Sequence, residues 1–216
     1  MGTSGEAVVV IGGGAISPPT GDHALVIAAD GGYDVARAAG LEPSVIVGDL
    51  DSLSEAGLQW AQLHHVDIRR HPTDKDQTDT ALAIEHAIAL GADSLLLCGP
   101  DRTDRIDHLL GAVIALGAPV LAAMEHVSAR LGSTVVHVLH PGHSVTLDLP
   151  VGAVFSVLAL HGVSTGVQVV GARWSLTDAT LPAAETRGIS NSSTGRPVTI
   201  AVSAGVLTVI VPAVAG

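Results

Sequence analysis

Acidic residues recur in this chain at spacings that suit a shared site. Asp49 and Asp51 stand one residue apart in Gly48-Asp49-Leu50-Asp51-Ser52. Asp74, Asp76 and Asp79 follow in one short stretch, with Lys75 among them. Asp30 precedes Gly31-Gly32, and Asp104 and Asp107 flank Arg105. Carboxylates gathered on one rim repel one another, and a hard cation relieves that repulsion. Mg²⁺ suits the task because it takes oxygen ligands, keeps several waters and bridges a few carboxylates to substrate phosphates. Asp is also at home in loops and at helix N-caps. That reading fits any one of these residues, but it fits the Asp49 and Asp51 pair poorly, since both cannot cap the same amides. Arg105 offers a planar, bidentate donor to phosphate. Gly12-Gly13-Gly14 could present backbone N–H groups to a phosphate or simply make a tight turn. It completes neither a dinucleotide fingerprint nor a Walker A sequence. Eleven histidines are present. His64, His65, His71, His140 and His143 lack helical metal spacing, and these are expected to be solvated surface residues.

The elements that must position these residues change character along the chain. Apolar β runs at 7–11, 24–29, 44–47 and 94–98 alternate with helical patterns at 33–39, 78–90 and 105–116. A further strand is expected at 119–123. Thr78 or Asp76 is the expected N-cap of the second helix, with Gly91 as its stop, and Gly40 stops the first. Such alternation predicts a parallel sheet covered on both faces. Ligands of open α/β sheets bind at the carboxyl ends of the strands, and Asp30, Asp49 and Asp51 all fall directly after predicted strands. Beyond about residue 130 only short β runs remain, at 134–139, 144–149, 154–160, 165–170, 198–202 and 205–211. Gly, Pro, Ser and Asn separate them, which predicts a β-sandwich. The expected organisation is an α/β parallel-sheet N-terminal domain, residues 1–131, followed by an all-β sandwich C-terminal domain, residues 132–216.

Composition narrows the function. The 216 residues carry a formal charge of −11. Residues 1–107 hold 17 acids against 6 Lys and Arg, whereas residues 108–216 hold 4 of each. An acidic surface repels phosphate backbones, so no nucleic-acid partner is expected. Aromatic residues at 2% leave too few stacking platforms for single strands. Cys98 is the sole cysteine; it lies in an apolar run and is expected to be a buried structural thiol. A lone cysteine favours a reducing compartment, and the start has no basic n-region and carries Glu6, so a cytoplasmic protein is expected. The longest apolar run, 109–124, is broken by Gly117-Ala118-Pro119 and falls short of the ~20 residues a spanning helix needs. No membrane partner is expected.

Four pieces in order resemble the thiamine pyrophosphokinase family: Ala29-Asp30-Gly31-Gly32, Gly48-Asp49-Leu50-Asp51-Ser52, Asp74-Lys75-Asp76-Gln77-Thr78-Asp79 and Arg105-Ile106-Asp107-His108. Gly171-Ala172-Arg173-Trp174-Ser175-Leu176 and Gly188-Ile189-Ser190-Asn191 resemble that family's β-domain motifs, so the resemblance spans nearly the whole chain. It implies an enzyme that transfers the pyrophosphoryl group of ATP to the hydroxyl of thiamine, giving thiamine diphosphate and AMP. By position, Asp49, Asp51 and Asp79 match Mg²⁺-binding aspartates. Those three, with Arg105 and Asp107, are the implied catalytic set. Asp30, Gly31, Gly32, Lys75, Asp76 and Thr78 match nucleotide-site positions, and Trp174, Ser190 and Asn191 match the thiamine-binding segment. A homodimer is implied, with the thiamine site near the subunit interface. The alternatives are a pyrophosphokinase for another hydroxymethyl heterocycle, such as a pterin, and a non-catalytic thiamine- or nucleotide-binding regulator. Two positions depart from the pattern. Thr103-Asp104 stands where many members have Gly-Gly, and Tyr33 stands where a small residue often follows Asp-Gly-Gly.

Overall fold

The computed structural model describes residues 5–21, 23 and 25–213, which form two compact units. The first comprises residues up to 115 together with 129–133; the second takes 116–128 and the chain from 134 onward.

In the first unit, β1 (Glu6–Ile11), β2 (Leu25–Ala29), β3 (Val45–Gly48), β4 (Asp67–Arg70) and β5 (Ser94–Gly99) form a parallel sheet in the order β5-β1-β2-β3-β4. Val8, Val9 and Val10 are all fully buried. Successive side chains of a strand point to opposite faces, so both faces of β1 are covered. Helix α1 (Gly32–Ala38) packs on β1 and β2, and α3 (Asp79–Ala89) on β1, β2 and β3. Between them in sequence lies α2 (Glu55–Leu63), whose Ser54 cap accepts from the Gly57 N–H at 2.9 Å. Helix α4 (Ile106–Ala115) follows β5. The end of β6 (His126–Leu131) and the residues after it join this unit, and the Gly132 N–H donates to the Gly99 carbonyl at 2.9 Å. Cys98 is buried in the core, where loss of hydration pushes its thiol up to about 11, so it is not ionised at neutral pH. The predicted strand over 24–29 is observed from Leu25; Ala24 lies outside the described residues.

The second unit is a sandwich. One sheet runs β12-β9-β14-β7 and the other β11-β10-β13-β8. Their members are β7 (Thr134–Leu139), β8 (Ser144–Leu147), β9 (Val154–Leu158), β10 (Ser164–Val170), β11 (Leu176–Leu181), β12 (Asn191–Ser192), β13 (Val198–Ala201) and β14 (Leu207–Val211). All their pairings are antiparallel. Phe155 and Val157 from one sheet join Val167, Val169 and Ile200 from the other in a single buried cluster. This is the face-to-face packing that alternating apolar residues produce.

Two expectations are corrected. Residues 119–123 are a short 3-10 helix, Pro119–Ala123, and not a strand. Proline's fixed φ suits a helix start, and five apolar residues carry no period that separates the two conformations. His140 is not a solvated histidine: it is 1% exposed, and its Nε2 donates to the Leu116 carbonyl at 3.1 Å. Burial lowers its pKa, and that of His137 for the same reason. His64 is exposed and stacks on Trp60 with ring centroids 4.2 Å apart. Among the described residues no helix is long and apolar enough to cross a membrane.

Candidate active site

The strand order brings the loops after β1, β2, β3 and β5 to one edge. The chain works outward from β1 to β4, then returns to place β5 on the other side of β1. Loops diverge at such a switch point and leave a crevice. A cleft of about 370 Å³ occupies it. Gly12 and Gly13 line it after β1, Asp30 and Gly31 after β2, Ser52 after β3, and Thr103, Arg105 and His108 after β5. Thr78, Asp79 and Thr80, at the N-terminus of α3, complete the wall. Helix N-termini favour anions, so the edge combines phosphate-attracting ends with a cluster of carboxylates.

That cluster is close. Asp30, Asp49 and Asp79 each offer an oxygen within 4.8 Å of the others. Gly48 makes the approach possible, because a Cβ there would lie 3.0 Å from the Asp30 Cβ and 3.1 Å from the Asp79 Cγ. Gly32 lets α1 seat on β1, since its Cβ would fall 2.1 Å from the Val10 carbonyl oxygen. Asp30 itself has φ 47° and Leu50 φ 70°, left-handed conformations that cost energy in residues with a Cβ and cluster at functional sites.

The three carboxylates differ in surroundings. Asp30 is 8% exposed. Its Oδ2 accepts from the Ser52 N–H at 3.3 Å, while its Oδ1 is buried without a hydrogen-bond partner. Loss of hydration raises its pKa, opposed by the bonds from Ser52 and Gly31. The pKa of Asp49 is lowered, first by the Asp51 N–H donating to it at 3.2 Å, with Thr73 and Lys75 adding to the effect. The Lys75 ammonium lies 3.2 Å from Asp79 and 3.7 Å from Asp49, so a cationic group already bridges two of them. A buried oxygen lacking a donor, an all-oxygen donor set and a cation drawn between two members fit a hard divalent ion.

The remaining sequence candidates divide. Asp51 lies one residue beyond the group, exposed, and accepts from the Ser52 hydroxyl at 2.9 Å. Thr78 caps α3, accepting from the Ala81 N–H at 3.2 Å. Arg105 reaches the cleft, but its guanidinium is held by Asp107 through Nε at 3.1 Å and a second nitrogen at 2.9 Å. This fork holds the Asp107 carboxyl down at about 2, and His108 lies against the same guanidinium. Asp76 is exposed and outside the cleft lining. Ser52 and His108 line the cleft without having been named as site residues, marked in the sequence only by lying within the acidic and Arg105 motifs, and Thr103, noted as a departure from the family pattern, lines it too.

The sandwich carries a second cleft, of about 670 Å³, lined by Arg173, Trp174, Ser175, Arg187, Ile189, Ser190 and Asn191 among others. Here the three expected substrate residues meet. The Asn191 side chain is buried, and its amide is committed locally. Its Oδ1 accepts from the Trp174 N–H at 3.2 Å and the Ser192 N–H at 2.8 Å, and its Nδ2 donates to the Trp174 carbonyl at 2.8 Å. Trp174 is thereby fixed at the backbone while its ring stays exposed. Ser190 has φ 61°, and its N–H donates to the Ser156 hydroxyl at 3.2 Å.

Known proteins match both units. Residues 20–125 match the family model for the thiamin pyrophosphokinase catalytic domain, and residues 137–207 that for its vitamin B1 binding domain. Comparison with curated proteins gives no match by sequence. Among solved structures, the thiamine pyrophosphokinase of Bacillus subtilis superposes with a TM-score of 0.81 at 21% identity, covering 97% of this chain and 100% of the other. A thiamin pyrophosphokinase family protein of Enterococcus faecalis gives 0.79 at 22%, covering 98% and 100%. The yeast thiamin pyrophosphokinase gives 0.72 at 14%, covering 97% and 87%. These likenesses establish the fold, and the two family models, which together span most of the sequence, establish the family. The chain belongs to the thiamin pyrophosphokinase family, enzymes that move the pyrophosphoryl group of ATP onto the hydroxyl of thiamine to give thiamine diphosphate and AMP.

Proposed function

We propose that the cleft at the carboxyl edge of the parallel sheet is the ATP site of this thiamine diphosphokinase, and that Mg²⁺ is held there by Asp49, Asp51 and Asp79 with Asp30 beside them. The gathering of Asp30, Asp49 and Asp79 within 4.8 Å carries the reading. When bound, Mg²⁺ supplies charge neutralisation for the phosphate oxygens. The chain's own residues do the positioning. Gly31, Gly32 and the α3 N-terminus with Thr78 offer backbone donors to phosphate. Lys75 and Arg105 carry the positive charge, and Asp107 aims Arg105 through its two-point bond. Asp76 is assigned to the outer part of the nucleotide site.

Phosphoryl chemistry depends on positioning and charge more than on covalent help from the protein. The thiamine hydroxyl oxygen bonds to the β-phosphorus, the bond from that phosphorus to the α-bridging oxygen breaks, and AMP leaves. The hydroxyl proton passes to a carboxylate of the site. Thiamine is assigned to the sandwich cleft, on Trp174 and Ser190, with Asn191 acting through Trp174. The working assembly is a cytoplasmic homodimer. A pterin-directed enzyme and a non-catalytic regulator are both disfavoured, because the second matched family model describes a vitamin B1 binding domain and the first a catalytic one.

Incubation with ATP, Mg²⁺ and thiamine should yield AMP and thiamine diphosphate in equal amounts. ADP with thiamine monophosphate would mean single phosphoryl transfer and would reject the proposed bond cleavage.

A further inference from the structure

The loop that carries Asp49 and Asp51 is short and strained. It runs over residues 49–54, from the end of β3 at Gly48 to the start of α2 at Glu55, and Leu50 within it has φ 70°. A left-handed turn at a residue with a Cβ persists only where its surroundings hold it. Repulsion among the clustered carboxylates also works to push the loop away. The sheet holds its first end: the Asp30 N–H donates to the Val47 carbonyl and the His71 N–H to the Gly48 carbonyl, both at 2.9 Å. Asp30 holds its middle, where Oδ2 accepts from the Ser52 N–H at 3.3 Å. Its far end is held from outside the cleft.

Asp34, in the first turn of α1, makes that hold. Its Oδ2 accepts from the Ser54 N–H at 2.8 Å and its Oδ1 from the Ser54 hydroxyl at 2.9 Å. The same hydroxyl accepts from the Gly57 N–H at 2.9 Å, so its proton serves α1 while its lone pair caps α2. Two glycines make room for the contact. A Cβ on Gly57 would overlap Asp34 Oδ1, and a Cβ on Gly31 would fall 2.9 Å from the Ser52 carbonyl oxygen. Ser54 caps α2 through Gly57 without help from Asp34. What Asp34 adds is a two-point tie between α1 and the end of the aspartate loop. Asp30 and Asp34, four residues apart, therefore grip one loop at two places.

We infer that Asp34 is a positioning residue for the metal site: through Ser54 it holds the 49–54 loop so that Asp49 stays beside Asp30 and Asp79. Asp34 does not line the cleft and acts only through the loop. The inference rests on the assignment of Mg²⁺ to these aspartates. Groups that fix the orientation of metal ligands typically account for ~10–100-fold in metal affinity or activity. Arg37 provides a comparison on the same pair of helices. Its guanidinium lies over the Trp60 ring of α2, 4.0 Å from the centre, and joins α1 to α2 without touching the loop.

Binding of Mn²⁺, a spin-bearing stand-in for Mg²⁺, to the full-length protein tests it by electron paramagnetic resonance without turnover. Asp34→Ala should weaken Mn²⁺ binding about tenfold. The Mg²⁺ concentration for half-maximal rate should rise in parallel, with the KM for thiamine unchanged. Asp34→Asn should restore most of the affinity, because its amide can still accept from the Ser54 N–H and donate to the Ser54 hydroxyl oxygen. Arg37→Ala should lower the melting temperature but bind Mn²⁺ as the wild type does. Unchanged Mn²⁺ affinity in folded Asp34→Ala overturns the inference. So does an equal loss in Arg37→Ala, which would mean general loosening of the helix pair, or an Asp34→Asn variant as weak as Asp34→Ala, which would make charge the cause. If Asp34→Ala does not fold, Ser54→Gly removes one of the two bonds from the other side, and wild-type Mn²⁺ affinity there overturns the inference as well. Asp49→Asn separates the underlying assignment. If it binds Mn²⁺ as the wild type does, the metal site itself is wrongly placed; if it loses Mn²⁺ while Asp34→Ala does not, only the role of Asp34 fails.

Discussion

Burial separates the clustered carboxylates. Asp30 is enclosed with one oxygen lacking a donor, Asp49 is stabilised as an anion by the Asp51 amide, and Asp79 faces Lys75. Asn in place of Asp keeps the shape and removes the charge. Asp49→Asn and Asp79→Asn should each reduce turnover at least ~100-fold, roughly 2.7 kcal/mol of transition-state stabilisation, with the circular dichroism spectrum retained. The Mg²⁺ concentration for half-maximal rate should also rise. Near-normal turnover at ordinary Mg²⁺ would remove these residues from the metal site. The spacing of Asp49 and Asp51 marks a metal-binding loop, but it does not reveal that Asp30 joins Asp49 and Asp79 in one group of carboxylate oxygens. Folding across adjacent strands decides that, and the left-handed turn at Asp30 is invisible in a one-dimensional pattern. At the second site, Asn191 fixes Trp174 through two hydrogen bonds to its backbone. Asn191→Ala should therefore raise the KM for thiamine about tenfold or more, the scale expected when a positioned stacking group is released, with the KM for ATP unchanged. Equal effects on both substrates would point to a general loss of fold.

At the scale of elements, legibility follows burial. The strands buried on both faces, β1, β2, β3 and β5, read directly as apolar runs, and α3 announces itself through Thr78 and Gly91. Three of the unexpected elements lie where burial is slight, whereas β6, also unexpected, buries Val127, Ala129 and Leu131. β4 is Asp-Ile-Arg-Arg at the sheet edge, and β11 is an edge strand in which half the residues are polar. Polar edges protect sheets from pairing with other chains, which also erases the apolar signal that marks a strand. α2 buries only Gly57 and Ala61, too little for a clear stripe. The histidines show the converse, since nothing in His140-Pro141-Gly142-His143 marks His140 as buried. Its folded pKa lies below the ordinary value because of burial. The unfolded chain therefore takes up a proton near pH 6.5 that the folded chain resists. The stability this group contributes is fully present above pH 6.5 and is lost as pH falls through that value toward the lowered folded pKa. The melting temperature should fall between pH 7.5 and 5, and His140→Gln should flatten the slope. Part of the slope should remain, because His137 and His86 are shifted in the same direction. An unaltered slope in that variant would show that His140 does not carry the effect.

For the whole molecule, charge and exposed apolar surface bear on assembly. The net −11 lies within residues 1–107, and residues 108–216 are formally neutral, so two copies can meet through the latter with little repulsion. Helix α4 adds a stripe at helical spacing: Ile106 is 67% exposed, Leu110 56% and Ile114 64%. Apolar groups aligned in this way on a solvated helix face are a common mark of an association surface, and a second copy of the chain is the occupant a two-fold homodimer supplies. Sedimentation at micromolar concentration should give a dimer, and Leu110→Glu should shift it toward monomer. In the proposed homodimer, a thiamine site near the subunit interface would draw the catalytic aspartates and the thiamine residues of one site from different subunits. Asp49→Asn and a Ser190→Ala/Asn191→Ala variant should each be inactive alone. After subunit exchange, mixed dimers carry one site with both defects and one with neither, and part of the activity should return. A confirmed exchange with no recovered activity would mean that each site is built within a single chain, and a monomer at micromolar concentration would remove the dimer altogether.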